Sequence, residues 1–282
     1  MTIKELFLIL PTYPDAPPEQ TLESAVFLAR FLGARITASV PQLNSDPKTW
    51  PPSLGAWPVD LVGLMQEAVR QSERNAQHLA DMLGKLAAQS NVPLDLRRNL
   101  TSLYATPKAS IDLARLHDLV IMPVPETTDR GYAEAALFGT GRPTLLLPSR
   151  PNHKPLRKLD TVVVAWDFSR EAARALGDAL PILASAKNVH ILSIYGEKGI
   201  DTSCTSTDLE KYLAAHKVKY VLDERVLKDG SIGDLIASSA AEFGADMIVM
   251  GAYGHSRFRE FVLGGATAGM LSDPPLPVFL SH

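Results

Sequence analysis

Short apolar runs alternate with amphipathic stretches along the whole chain. Residues 6–10, 161–166 and 247–250 are almost entirely apolar. Unbroken runs of this length are typical of strands buried on both faces of a parallel sheet. Between the runs, apolar residues recur at helical spacing, as they do from residue 22 to residue 32. The alternation of strand and helix signals predicts an α/β fold with right-handed crossovers.

The pattern occurs twice. Residues 118–122 match residues 246–250, and residues 143–147 match residues 277–281. The period is far longer than that of a solenoid unit. The repeat therefore predicts two tandem Rossmann-like or flavodoxin-like domains, each a parallel sheet of about five strands with helices on both faces.

The predicted domains are residues 1–150 and residues 156–282. Prolines and basic side chains mark the stretch between them, residues 149–159. We expect a short, solvated linker, with contact to a partner as the alternative. Whole chains could also form a homodimer.

Glycines cluster after the apolar run at residues 247–250. Gly251 and Gly254 follow it, and Gly264 and Gly265 open the next apolar segment. A glycine lets the backbone approach a ligand without an intervening Cβ. In open α/β sheets, ligands bind beyond the carboxyl ends of the strands, often against a helix N-terminus. The stretch thus suits a phosphate chain, with plain turn punctuation as the alternative. It matches neither the P-loop nor the dinucleotide fingerprint.

The spacing Gly251-x2-Gly254-x9-Gly264 resembles the ATP-binding signature of the universal stress protein family, Gly-x2-Gly-x9-Gly-Ser/Thr. Gly265 stands where the signature has the hydroxyl residue, so one side-chain phosphate donor is lost and the amide is kept. The resemblance covers the whole chain and is strongest from Leu159 onward. It implies a regulatory, stress-response protein that binds ATP in its C-terminal domain, alone or with Mg²⁺. It also implies that the last strands of the two domains, residues 143–147 and 277–281, pair within one chain, which would cover two exposed sheet edges.

The resemblance also implies which residues form the nucleotide site. Asp167, at the end of a strand, is placed near the adenosine, with capping of the following helix as its alternative role. Ile194 is expected to offer backbone contacts to adenine. Trp166 is expected in the core, with stacking on the base as its alternative. The phosphates are assigned to Met250, Gly251, Gly254, His255, Gly264, Gly265, Ala266 and Thr267.

The first copy of the repeat differs at the matching place. Pro123 and Pro125 occupy the region of Gly251 and Gly254, and proline offers neither an amide donor nor a positive φ. The segment between the matched strands is also shorter, 21 positions against 27. We expect the first domain to have lost its nucleotide site.

The composition limits the function further. A net charge of −3 with no long basic block gives no nucleic-acid footprint. No apolar stretch reaches the roughly 18 residues that a membrane span needs. The single Cys204 rules out an intramolecular disulfide and favours a cytoplasmic location.

No pair of nucleophile and base, Walker lysine or carboxylate cluster is readable in the sequence. We therefore predict no catalytic and no metal-binding residues, and at most slow ATP hydrolysis. Two alternatives to the nucleotide-binding regulator remain. One is an interaction protein of the same fold that has lost its nucleotide, which Gly265 favours. The other is a slow ATPase.

Overall fold

The computed structural model describes residues 2–44, 61–102, 108–125, 130–195, 203–252 and 265–282. The N-terminal half, which ends with β5, comprises β1 (Glu5–Ile9), α1 (Glu19–Leu32), β2 (Arg35–Leu43), α2 (Leu61–Gln89), β3 (Leu94–Thr101), α3 (Lys108–Ala114), β4 (Leu119–Val124), α4 (Arg130–Gly139) and β5 (Thr144–Pro148). The C-terminal half comprises β6 (Thr161–Ala165), α5 (Arg170–Leu183), β7 (Asn188–Tyr195), α6 (Ser206–Ala215), β8 (Tyr220–Val226), α7 (Ile232–Glu242), β9 (Met247–Gly251), α8 (Gly265–Ser272) and β10 (Val278–Ser281).

All ten strands form one sheet in the order β3-β2-β1-β4-β5-β10-β9-β6-β7-β8. Within each half the five strands are parallel, in the order 3-2-1-4-5 of a doubly wound fold. The predicted fold class is confirmed. Where the halves meet, β5 and β10 run antiparallel, with Val278 opposite Leu146. The predicted domain limits, residues 1–150 and 156–282, stay a prediction.

The apolar core lies on both faces of this sheet. Helices α1, α2, α5 and α6 cover one face, and α3, α4, α7 and α8 cover the other. Each core continues across the junction between the halves: Leu145 and Phe279 belong to the first, Leu146 and Val278 to the second. Among the described residues, no helix is both long and apolar enough to cross a bilayer.

The internal repeat is visible in individual hydrogen bonds. Asp118 precedes β4 and accepts the backbone N–H groups of Lys4 and Glu5 through one carboxylate oxygen, at 2.8 and 3.0 Å. Asp246 precedes β9 and accepts two consecutive N–H groups at the start of β6, at the same two distances. In both halves, therefore, one aspartate ties together the starts of the two central strands.

The stretch between the halves differs from the expected solvated linker. Leu156 and Leu159 are buried in the core, and the hydroxyl of Ser24 accepts the Leu156 N–H at 2.9 Å. Its basic side chains form ion pairs with the chain's own acids: Arg150 with Asp273, Arg157 with Glu23 and Lys158 with Asp246. Leu156 and Leu159 therefore hold the stretch against the rest of the protein, although its polar composition predicts exposure.

Candidate functional site

A crevice is expected where the strand order reverses in the C-terminal half, between β6 and β9. Asp167 lies just after β6, and Gly251 is the last residue of β9. Ile194 is near the carboxyl end of β7, the next strand along. The structure therefore brings these three predicted residues to one edge of the sheet, beside the switch point.

Asp167 shapes the turn that leads from β6 into α5. Its carboxylate accepts the N–H of Ser169 at 2.9 Å, and Phe168 between them has a left-handed φ of 59°. Ser169 is the N-cap of α5, and its hydroxyl accepts the N–H of Ala172 at 3.0 Å. Asp167 is half-buried.

Gly251 is explained by packing. A Cβ at this position would lie 2.5 Å from the backbone N of Ala172 and 2.5 Å from the carbonyl carbon of Glu171. The first turn of α5 thus lies directly against the end of β9. Only a glycine allows this approach, whether or not its amide also contacts a phosphate.

Gly265 has the opposite surroundings. It is the first residue of α8, it is exposed, and a Cβ there would meet no atom within 4 Å. Within the described part of the chain, therefore, nothing lies close to the side-chain position of Gly265; residues 253–264, which precede α8, are outside that part. The first N–H groups of a helix have no partner within the helix, and its dipole favours an anion there.

The side chains of Met250 and Thr267 are buried, with 5% and 4% of their surface exposed. Ala266 is partly buried against the same core. A ligand at this edge would therefore meet Met250 mainly through its backbone. Gly254, His255 and Gly264 lie outside the described residues.

Trp166 belongs to the core, as expected. It is 8% exposed, and its ring lies edge-on to that of Phe168 at 5.3 Å. Because the Trp166 ring is buried, its stacking on a base is disfavoured. Ile194 is partly buried and packs against the core on the other face of the sheet.

Gly233 in α7 is a residue of this region that was not predicted from the sequence. A Cβ on this residue would lie 3.2 Å from the Cα of Ala266 in α8. A lone glycine inside an amphipathic helix is a signal for such a contact, but the pattern does not show which element comes close.

In the N-terminal half, α2 supplies polar side chains to the corresponding edge. The Thr12 hydroxyl donates to the carbonyl of Pro41 at 2.6 Å and lies 2.7 Å from the hydroxyl of Ser72. Ser72 in turn accepts the N–H of Leu43 at 3.0 Å, and the Asn75 amide donates to the Thr12 carbonyl at 2.9 Å. Thr12 and Ser72 are both buried. Backbone polar groups at the ends of β1 and β2 therefore have hydrogen-bond partners within the chain.

The strand registers show that this network occupies the place of the candidate site. Pro41 has the position in β2 that Ile194 has in β7, and Pro11 matches Asp167. Pro123 matches Gly251. The carbonyl of Pro41 is thus bonded to Thr12 at the position where Ile194 is predicted to contact adenine.

The molecule belongs to the class of doubly wound α/β proteins, with an aspartate and a glycine beside the switch point of its C-terminal half. Comparison with family models matches residues 158–282 to the universal stress protein family. The chain therefore carries a universal stress protein domain in its C-terminal half, and its N-terminal half repeats that fold.

Solved structures share the fold over the full length. A universal stress protein from Archaeoglobus fulgidus aligns with a TM-score of 0.67 and 17% identity, over 98% of this chain and 95% of that one. A protein of unknown function from Pseudomonas aeruginosa aligns with a TM-score of 0.59 and 12% identity, over 99% and 92%. The search among curated proteins found no match.

Proposed function

We propose that the C-terminal half binds an adenine nucleotide, ATP, and that the protein acts as a nucleotide-dependent regulator in a stress response. One observation carries the proposal: Asp167, Ile194 and Gly251 meet at the carboxyl edge beside the switch point of a universal stress protein domain. In this assignment Asp167 and the end of β7 hold the adenosine. The amides after β9 and at the start of α8 hold the phosphates.

The residues present fit such a ligand. Gly265 is exposed in the first turn of α8, and the backbone N–H groups at the start of a helix bind phosphate oxygens without a charged side chain. Any Mg²⁺ would be carried largely by the phosphate oxygens, as this ion commonly is. The family signature's hydroxyl residue is replaced by Gly265, so we assign the phosphate contacts to amides.

The N-terminal half has a structural part in this proposal. We assign residues 1–150 and 156–282 to two domains that pair through β5 and β10, and the antiparallel register of these strands supports that assignment. The first domain binds no nucleotide. Each amide contact to a charged group is worth about 1.5–3 kcal/mol. The loss of two such contacts would weaken binding roughly a hundredfold or more.

Calorimetry on the full chain tests the proposal with ATP, ADP and AMP. Asp167→Ala should weaken all three ligands by a similar factor, because they share the adenosine end. Ser169→Ala is the matched control: it removes the cap of α5, costs about 1 kcal/mol of stability, and should leave affinity unchanged. A wild-type protein that binds none of the three ligands would refute the proposal. A loss with Asp167→Ala that is confined to ATP would refute the assignment of Asp167.

A further inference from the structure

The first turn of α8 rests on the first turn of α7. Gly233 is the second residue of α7 and Ala266 the second residue of α8. A Cβ on Gly233 would lie 3.2 Å from the Ala266 Cα and 3.7 Å from both its Cβ and its carbonyl oxygen. The two turns are thus nearly in backbone contact. Both helices follow parallel strands of the same sheet, so the contact lies at the edge of the proposed nucleotide site.

Close packing is the physical reason for a glycine at position 233. The residue lies within a helix and its φ is outside the left-handed region, so no turn requires it. Glycine within a helix is unfavourable relative to alanine. Two other helical glycines, Gly84 and Gly269, would meet nothing within 4 Å if they carried a Cβ. Gly139 and Gly177 would each meet only a side-chain atom, of Ile111 at 2.9 Å and of Tyr212 at 3.7 Å. Among these five helical glycines, a close approach to the backbone of another helix therefore distinguishes Gly233.

The first turn of α7 is itself held in place. Ser231 caps the helix and accepts the N–H of Asp234 at 3.0 Å. One turn further on, Ile236 is buried in the core with 2% of its surface exposed. The turn that carries Gly233 therefore offers a fixed surface to α8.

We infer that Gly233 is a positioning residue for the phosphates of the bound nucleotide. It allows α8 to approach α7 closely, and that approach fixes where the amides at the start of α8 lie. Charge-assisted hydrogen bonds weaken as distance and angle depart from their optimum. A side chain at position 233 would displace these amides without touching the nucleotide. This inference rests on the proposed function.

The test compares ligands that differ in their phosphates. Calorimetry on full-length Gly233→Val should show ATP bound about tenfold more weakly or worse, the effect of losing roughly one charge-assisted hydrogen bond. Adenosine, measured by competition, should bind within about threefold of the wild type, because it lacks the group that α8 contacts. Gly233→Ala should show a smaller shift in the same direction. If the valine variant does not fold, the same comparison of ATP with adenosine is made on Gly233→Ala.

Two control variants separate positioning from stability. Gly269→Ala adds a methyl group to α8 in open space and should leave both affinities unchanged. Ile236→Val weakens the core under α7 and should leave the ratio of ATP to adenosine affinity unchanged. Equal losses for ATP and adenosine in the Gly233 variants, or no loss, would overturn this inference alone. A wild-type protein that binds neither ligand would overturn the proposed function as well.

Discussion

The carboxyl edges of the two halves differ most in the helix that follows the second strand. Helix α2 has 29 residues and α6 has 10. Both end in the same way, followed by Asn91 and Lys217 with left-handed φ angles of 53° and 58°. Aligned at these ends, the extra turns of α2 all lie at its beginning and lengthen it by roughly 28 Å. Ser72 and Asn75 are in those turns.

The two halves therefore share one fold but differ in the side chains that lie at the carboxyl edge of the sheet. In the N-terminal half, the extra turns bring side chains that bond Thr12 and the end of β2. In the C-terminal half, α6 begins too late to reach the corresponding edge in the same way. We therefore attribute the proposed absence of a nucleotide site in the N-terminal half to filling by α2 as well as to the prolines that replace glycines.

The largest expected effect concerns the structural role of Gly251. Gly251→Ala places a Cβ 2.5 Å from backbone atoms of α5 and should lower the free energy of unfolding by about 3 kcal/mol. Gly265→Ala is the matched control. The added Cβ would meet no described atom within 4 Å, so the variant should change stability by less than about 0.5 kcal/mol. Urea unfolding gives the free energy of unfolding of both variants. Similarly small losses in the two would show that the packing of α5 does not need a glycine at position 251.

The second prediction concerns the network in the N-terminal half. Ser72→Ala removes the acceptor of the Leu43 N–H and the hydroxyl beside Thr12. The cost should be about 2 kcal/mol, since buried polar groups lose their partners. ATP affinity should stay unchanged because the network lies in the other half. Gln71→Ala, which removes one exposed contact to Pro14, should cost clearly less. A large change in ATP affinity with Ser72→Ala would place a ligand in the N-terminal half.

The smallest effect should be shared by the two halves. Asp118→Ala and Asp246→Ala each remove the acceptor of two N–H groups. Each should cost about 1–2 kcal/mol. Asp246 also pairs with Lys158, which adds less than about 1 kcal/mol because the lysine is exposed. Urea unfolding of both variants checks this, and a strong cost in one half alone would break the structural equivalence of the repeat.

The sequence predicted the parts of the fold that depend on local pattern. The apolar run before Gly251 and the match of Asp118 with Asp246 can each be read from neighbouring residues. The contact of Gly251 with α5 could not be predicted, because it depends on where a crossover helix crosses the sheet. The same holds for Gly233.

The filling of the first site also depends on tertiary structure. Ser72 and Asn75 are ordinary polar residues of a long amphipathic helix, and their pattern does not indicate that they reach β1 and β2. The linker is a similar case. Its prolines and basic residues predicted exposure, whereas Leu156 and Leu159 anchor it.

The number of nucleotides bound per chain tests the asymmetry between the halves most directly. Equilibrium dialysis of the full-length protein with ATP should saturate at about one ATP per chain. Photo-crosslinking with an azido-ATP should then label only peptides from residues 158–282, and Asp167→Ala should reduce the labelling. Saturation at about two ATP per chain, with labelled peptides from both halves, would contradict the account.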